Sequence, residues 1–505
     1  MKAGSSQLFS ASAAAPQKIP HPSPSISVLE WGLLSLITAL AAALRFHGLA
    51  AKGFWFDEGI SAGIARLDWY DFARILWRRE GNMSLYYLLL RGWLHLGSGE
   101  AFIRSLSALF SIATIPALYF LGRRLFGSRT GLIAAALLAV NAFHLQVSQE
   151  ARSYSLFVLL SIVSSLYFCK WLQGSNPRGY VLGSALAVYA HFFAALLVAA
   201  QWLSLCFLEK EQPQKRGNPW LRIAALASPV LLFVGTTGAG PLNWLGRPGL
   251  KEIRQLAEDL AGNGGPWLAA AYGAACLIAL IPLFRAAAIR RVPWESWRYR
   301  FLLLWLLAPP AFILLASQAR PSFLPRYFIF CLPPLLLLAA SALARLRSNW
   351  IALPAVLLLV CLSSGGVKSY FHTRPQYDDW REISRAIVSD SRPGDALIFH
   401  IAMARVPYEY YHSRWPADAA PQVIYPRHGS HLTFGDFMAR PDYAALAADL
   451  PRYQRVWLVL SHVGEAPATE PTATRLLRML RQDFPLVEQR DLGNCVVFLF
   501  SRGKG

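Results

Sequence analysis

Long apolar blocks govern what this chain can become. They fall at residues 28–46, 101–121, 130–146, 154–173, 179–190, 192–208, 221–237, 266–284, 301–317, 327–344 and 350–365. A helix crossing a bilayer needs roughly 20 apolar residues, fewer where its ends are shielded. Inside lipid every backbone N–H and C=O must be paired within the protein, which leaves helices for blocks of this kind. Hydrophobic residues make up 55% of the chain and charged residues 15%, a balance too apolar for one soluble core. The pattern predicts a polytopic α-helical membrane protein of about eleven spans.

The formal charge of +20 does not point to nucleic acid, because the Lys and Arg residues sit in short loops and not along one basic face. They read as topology. Alternate loops carry Arg123, Arg124 and Arg129; Lys170 and Arg178; Lys210, Lys215, Arg216 and Arg222; Arg285, Arg290, Arg291, Arg298 and Arg300; and Arg345 and Arg347. Under the positive-inside rule these loops are cytoplasmic, so the N-terminus is inside and residues 368–505 are outside. The first block ends in Arg45-Phe46-His47 without a small-residue cleavage pattern, so it reads as an uncleaved span behind a tail of residues 1–27. Cys169, Cys206, Cys276, Cys331 and Cys361 lie in or beside apolar blocks and leave Cys495 alone, giving neither a disulfide framework nor a zinc motif.

Two further regions stand apart. The first outer loop, residues 47–100, holds Met83–Leu96 and Trp69–Arg79, whose mixed aromatic, Arg and Leu content suits helices lying at the headgroups. From Lys368 onward helical and strand patterns alternate: Asp379–Val388 and Thr472–Leu480 read as helices, and Asp395–His400, Arg455–Ser461 and Asn494–Ser501 as strands. The expected organisation is a tail at 1–27, a transmembrane domain at 28–367 and a soluble α/β domain at 368–505.

Acidic residues concentrate on the outer side. Phe56-Asp57-Glu58-Gly59 follows the first span, and a carboxylate there is either a helix cap or a base that removes a proton from an acceptor hydroxyl. Ser148-Gln149-Glu150-Ala151-Arg152 lies between the third and fourth spans and reads as a surface ion pair or as part of the same site. Arg320 and Arg326-Tyr327 precede the tenth span, where Arg either anchors at the interface or grips a phosphate. His191, Tyr86 and Tyr87 are further candidates for shaping the site. Two adjacent carboxylates can hold a divalent ion, yet no His/Cys/Asp set has ligand spacing, so metal dependence and any cofactor stay open.

Four signatures occur in a telling order: Phe56-Asp57-Glu58; Asn82-Met83-Ser84-Leu85-Tyr86-Tyr87; Arg104 through Gly122-Arg123-Arg124-Leu125-Phe126-Gly127; and Ser148-Gln149-Glu150-Ala151-Arg152-Ser153-Tyr154. Over residues 28–345 the chain resembles the GT-C glycosyltransferases, in the branch of protein O-mannosyltransferases and bacterial lipid A aminoarabinose transferases. The resemblance implies a polyprenyl-phosphate sugar donor and a lipid, polysaccharide or protein acceptor outside a bacterial inner membrane. It further implies Asp57 as catalytic carboxylate with Glu58 in support, Glu150 shaping the site, and Arg326-Tyr327 near the donor phosphate. Independently, a lipid phosphate leaving at the membrane surface needs its developing charge neutralised, and Arg152, Arg320 or Arg326 can do so there. A Pro common in the Met83-Ser84 region of that family is absent. The competing reading is a transporter or flippase for lipid-linked sugars, in which the charges line a pathway.

Overall fold

The computed structural model describes residues 25–208, 218–237, 246–285, 293–346, 348–372, 378–415, 420–426, 432–461 and 471–502. Most of the tail, and the loop residues Lys210, Lys215, Arg216, Arg290, Arg291 and Arg347, lie outside them.

All eleven apolar blocks are helical. Helix α1 spans Val28–Phe46. The outer loop follows as α2 (Phe56–Arg66), α3 (Trp69–Ile75) and α4 (Ser84–Trp93). The bundle continues through α5 (Glu100–Phe126), α6 (Ser128–Ala139), α7 (Ala142–Ser148), α8 (Tyr154–Leu172), α9 (Arg178–Ala190) and α10 (Ala194–Ser204). It closes with α11 (Pro219–Thr237), α12 (Leu250–Ala261), α13 (Pro266–Arg285), α14 (Trp294–Ala316), α15 (Leu332–Ala344) and α16 (Asn349–His372). Seven helices among the described residues are long and apolar enough to cross a membrane, and nine spans result if two bent pairs count as one each. The two bent pairs, α6–α7 and α12–α13, separate seven from nine, and α9 and α10, too short to count alone, separate nine from the eleven expected.

The break between α6 and α7 has a physical cause. Helices α6 and α7 meet at 63° around Asn141, whose side chain accepts from the His144 N–H and caps α7. The carbonyls freed at the end of α6 face Arg45, a fully buried residue of α1. Its guanidinium donates to Ala139 O at 3.0 Å, Leu138 O at 3.3 Å and Ser111 Oγ at 2.6 Å. A buried cation is stable there because the negative end of a helix dipole and several acceptors replace water.

The basic loops gather at one end of the bundle. Arg298 donates to Leu125 O and sits over Phe126. Arg345 lies over Tyr299, and Arg124 pairs with Gln173. Residues 47–100, Glu150 and the C-terminal region occupy the other end.

The C-terminal region contains α17 (Trp380–Asp390), β1 (Ala396–His400), α18 (Arg405–His412), β2 (Gln422–Tyr425), α19 (Phe434–Met438), α20 (Tyr443–Asp449), β3 (Arg455–Ser461), α21 (Pro471–Asp483), β4 (Leu486–Leu492) and β5 (Cys495–Ser501). Their sheet runs β2-β1-β3-β5-β4, with β1 parallel to β2 and β3, and β5 antiparallel to its neighbours. The continuous apolar runs of β1, β3 and β5 are buried, as expected for central strands covered on both faces. Strand β4 alternates exposed and half-buried residues and forms an edge. The sheet packs through α17 and α18 onto the outer loop.

Candidate active site

Helix α2 decides the site because it separates two adjacent acids. Asp57 and Glu58 are about 100° apart around the helix axis and face different surroundings. Glu58 turns inward, with its side chain 1% exposed. It accepts from Arg104 Nε at 2.7 Å and Nη2 at 2.5 Å, from the Ala151 N–H at 2.8 Å and from the Trp55 N–H at 3.3 Å. Arg104 itself bridges the carbonyls of Leu49, Lys52 and Gly53. Glu58 thus does the capping and locks α2 to α5 and to the 150–152 loop. Its lone pairs are engaged, which leaves it no capacity to take a substrate proton.

Asp57 is left for other work. Its side chain is 26% exposed, and its one ion pair among the described residues is with Arg152 Nη2 at 3.5 Å. Arg152 also reaches Tyr87 Oη at 3.2 Å, and Tyr87 donates to Glu80 at 2.9 Å. Burial works against the Arg152 charge, but Tyr87, Asp57, Tyr154 and Glu80 hold its proton affinity well above the ordinary value. For Glu80 burial outweighs Arg152 and Arg79 and raises the carboxyl.

Around this centre stand Tyr154, His191, Arg326 and Tyr327. The Arg326 guanidinium lies 5.2 Å from the ring of Trp55, two residues before Asp57. Tyr327 is 5.2 Å from the His191 ring and 6.4 Å from Tyr154. Within this buried set the Arg152 Nε, the Tyr154 hydroxyl and the His191 Nε2 have no hydrogen-bond partner among the described residues. Unpaired buried donors are costly and mark a place where a ligand's acceptors can complete them.

On the other side of Glu58 opens a cavity of about 570 Å³, lined in part by Lys52, Trp55, Gln146, Glu150, Ser369 and Tyr370. Burial and the Glu58 charge push the Glu150 carboxyl up to about 7, while Arg326, a Gln146 hydrogen bond and Arg152 oppose that rise. The side-chain amide of Gln149 binds the carbonyls of Arg45 and His47 and accepts from the Tyr370 hydroxyl, tying α1 to α16 beside this space.

The fold brings Asp57, Arg152, His191, Arg326, Tyr327 and Tyr87 around one centre, sets Glu58 and Glu150 along the adjoining cavity, and leaves two candidates outside. Arg320 is exposed, and its side chain touches none of this set. It lies in the turn after α14. Tyr86 is buried and hydrogen-bonds Ser107, which in turn holds the Arg152 carbonyl, so it supports the loop from behind. Glu80 and Tyr154 were not singled out from sequence. An acid embedded in an aromatic interfacial stretch was the available signal for Glu80. Among the described residues no three His, Cys, Asp or Glu side chains form a set able to hold a metal.

The fold as a whole is similar to those of known proteins. ArnT of Cupriavidus metallidurans in the apo state superposes with a TM-score of 0.58 over 93% of this chain and 98% of that one, at 14% identity. The chain has the GT-C fold. The same enzyme bound to undecaprenyl phosphate superposes with a TM-score of 0.56 over 94% of this chain and 98% of that one, also at 14% identity. In sequence, a family model described as dolichyl-phosphate-mannose-protein mannosyltransferase matches residues 84–234. The chain is also similar to undecaprenyl phosphate-alpha-4-amino-4-deoxy-L-arabinose arabinosyl transferase 2 of Pseudomonas fluorescens (strain Pf-5), at 27% identity over 78% of this chain and 70% of that protein. It is a multi-pass membrane protein.

Proposed function

We propose that this chain is a membrane glycosyltransferase that moves a sugar from a polyprenyl-phosphate donor to a lipid, polysaccharide or protein acceptor. The observation that carries the reading is the division between the two adjacent acids. Glu58 is saturated by Arg104 and backbone amides, whereas Asp57 is part-exposed beside Arg152. A base needs an open lone pair within reach of the acceptor hydroxyl, and the part-exposed Asp57 carboxylate has one.

In this mechanism Asp57 takes the proton of the acceptor hydroxyl as its oxygen attacks the anomeric carbon. The bond from that carbon to the phosphate oxygen breaks, and the polyprenyl phosphate leaves with its electron pair. Arg152 and Arg326 neutralise the charge that develops on the phosphate, with the hydroxyls of Tyr154 and Tyr87 and the His191 Nε2 nearby as further donors or positioners. One displacement inverts the anomeric centre. The cavity beside Glu150 has room for a sugar ring, and a Glu150 carboxyl protonated up to about pH 7 can donate to a sugar hydroxyl.

Supporting the donor class, the similar Pseudomonas protein is named for an undecaprenyl-phosphate-linked sugar, and one ArnT structure holds undecaprenyl phosphate. These findings do not favour the transporter alternative. The site lies on the outer face of a bacterial inner membrane in this account. The N-terminus is cytoplasmic, residues 28–367 form the transmembrane catalytic domain, and residues 368–505 lie outside. The clustering of Arg123, Arg124, Arg298 and Arg345 at the opposite end supports that orientation.

The test supplies purified protein in detergent with polyprenyl-phosphate sugars and, separately, with sugar nucleotides, using envelope lipid extract as acceptor. Consumption of the lipid-linked donor, with inverted configuration in the product by NMR, is expected. Use of the nucleotide donor alone, or retention of configuration, would overturn the proposal.

A further inference from the structure

Residues Lys52–Trp55 join α1 to α2 and therefore set where Asp57 stands. The membrane part grips them from one side. Arg104 donates to the Lys52 carbonyl at 2.6 Å and the Gly53 carbonyl at 2.8 Å, and Glu58 accepts from the Trp55 N–H. The C-terminal region grips the same residues from the other side. Asp379 Oδ2 accepts from the Gly53 N–H at 2.9 Å, and the Trp380 N–H donates to the Phe54 carbonyl at 2.9 Å. The Tyr411 hydroxyl accepts from the Phe54 N–H at 2.7 Å and donates to Glu100, the first residue of α5, which Arg381 also engages.

The sequence is shaped for this closeness. A Cβ on Gly53 would stand 1.9 Å from Asp379 Oδ1. One turn and two turns into α2, a Cβ on Gly59 would meet Pro407 Cβ at 2.4 Å, and one on Gly63 would meet Val406 Cγ1 at 2.2 Å. The glycine face of α2 thus exists to let α18 lie directly on the helix that carries Asp57. A separate acceptor-binding domain tethered to a membrane enzyme needs no such contact.

We propose that the C-terminal region braces the Asp57 carboxylate in its working position, with Tyr411 as the positioning residue. The Tyr411 phenol holds the Phe54 amide and α5 at once through a single oxygen. Losing that oxygen loosens the Phe54 end of the segment that leads into α2 and lets the Asp57 face of the helix shift about its Glu58 anchor, and a shift of about 1 Å at a reacting group is enough to lower turnover about 100-fold. The inference rests on the reading of Asp57 as base.

The experiment compares full-length wild type, Tyr411→Phe, Asp57→Asn and the double variant, using the lipid-linked donor and envelope lipid acceptor. Binding of polyprenyl phosphate alone is measured in parallel. Tyr411→Phe is expected to lower kcat about tenfold or more, with both KM values within about twofold and unchanged polyprenyl-phosphate binding. In the Asp57→Asn background it should cause no further loss, because it acts through Asp57. Wild-type kcat in Tyr411→Phe, an additive loss in the double variant, or a raised acceptor KM at unchanged kcat would overturn the brace while leaving the base reading standing. Full turnover by Asp57→Asn would overturn both. Should Tyr411→Phe fail to fold, Asp379→Asn keeps an oxygen for the α17 cap, turns an amide toward the Gly53 N–H, and carries the same expectations.

Discussion

Replacing Glu150 by Gln turns the electrostatics of the cavity into a stability measurement. Glu150 is 8% exposed, and burial beside Glu58 moves its carboxyl from an ordinary 4.5 to about 7. A carboxyl with a raised value in the folded protein holds its proton more tightly folded than unfolded. Its cost is therefore absent at low pH, grows as pH rises past 4.5 and is complete above about 7. Each tenfold change in proton affinity is about 1.4 kcal/mol, so the full cost in the wild type is about 3 kcal/mol. Gln keeps the oxygen that accepts from Gln146 at 3.2 Å and carries no charge at any pH. The assay is the thermal unfolding midpoint in detergent, followed by tryptophan fluorescence across a pH series. Glu150→Gln should match the wild type near about pH 4 and exceed it by a margin that grows up to about pH 8. A margin independent of pH, or a wild type that gains on the variant as pH rises, would refute the reasoning.

Other outcomes follow from the same contacts. Arg104→Met leaves Glu58 buried without its cation and should destabilise the protein by about 3–5 kcal/mol, seen as a lower unfolding midpoint and poor recovery from membranes. Tyr154→Phe removes a buried hydroxyl that lacks a hydrogen-bond partner among the described residues, so the free protein should gain about 1 kcal/mol or stay unchanged while polyprenyl-phosphate affinity falls, read by thermal shift with and without that lipid.

The fold class was legible because it rests on an average property. Apolar blocks and loop charges carry redundant signals, and a misplaced boundary such as the true end of α16 at His372 changes little. The break at Asn141 was not legible, since it depends on Arg45 arriving from another helix to take the α6 carbonyls. At the site, motifs told which loops share a face, but not where each side chain points. The Asp57-Glu58 pair left capping and catalysis open, and only Arg104, forty-six residues along, decides which acid is consumed. Arg320 and Arg326 read alike in sequence, yet one turn of chain puts the first in solvent and the second beside Trp55. The glycines of α2 gave no hint of a partner, because α18 lies more than three hundred residues away.

The account stands on Asp57 as the base. Single-turnover release of polyprenyl phosphate from the lipid-linked sugar, measured for wild type and Asp57→Asn under identical acceptor conditions, addresses that claim most directly. Loss of a positioned base costs about 100- to 10,000-fold, so the variant should bind polyprenyl phosphate normally and release it at least about 100 times more slowly. Release at the wild-type rate by Asp57→Asn would contradict the account.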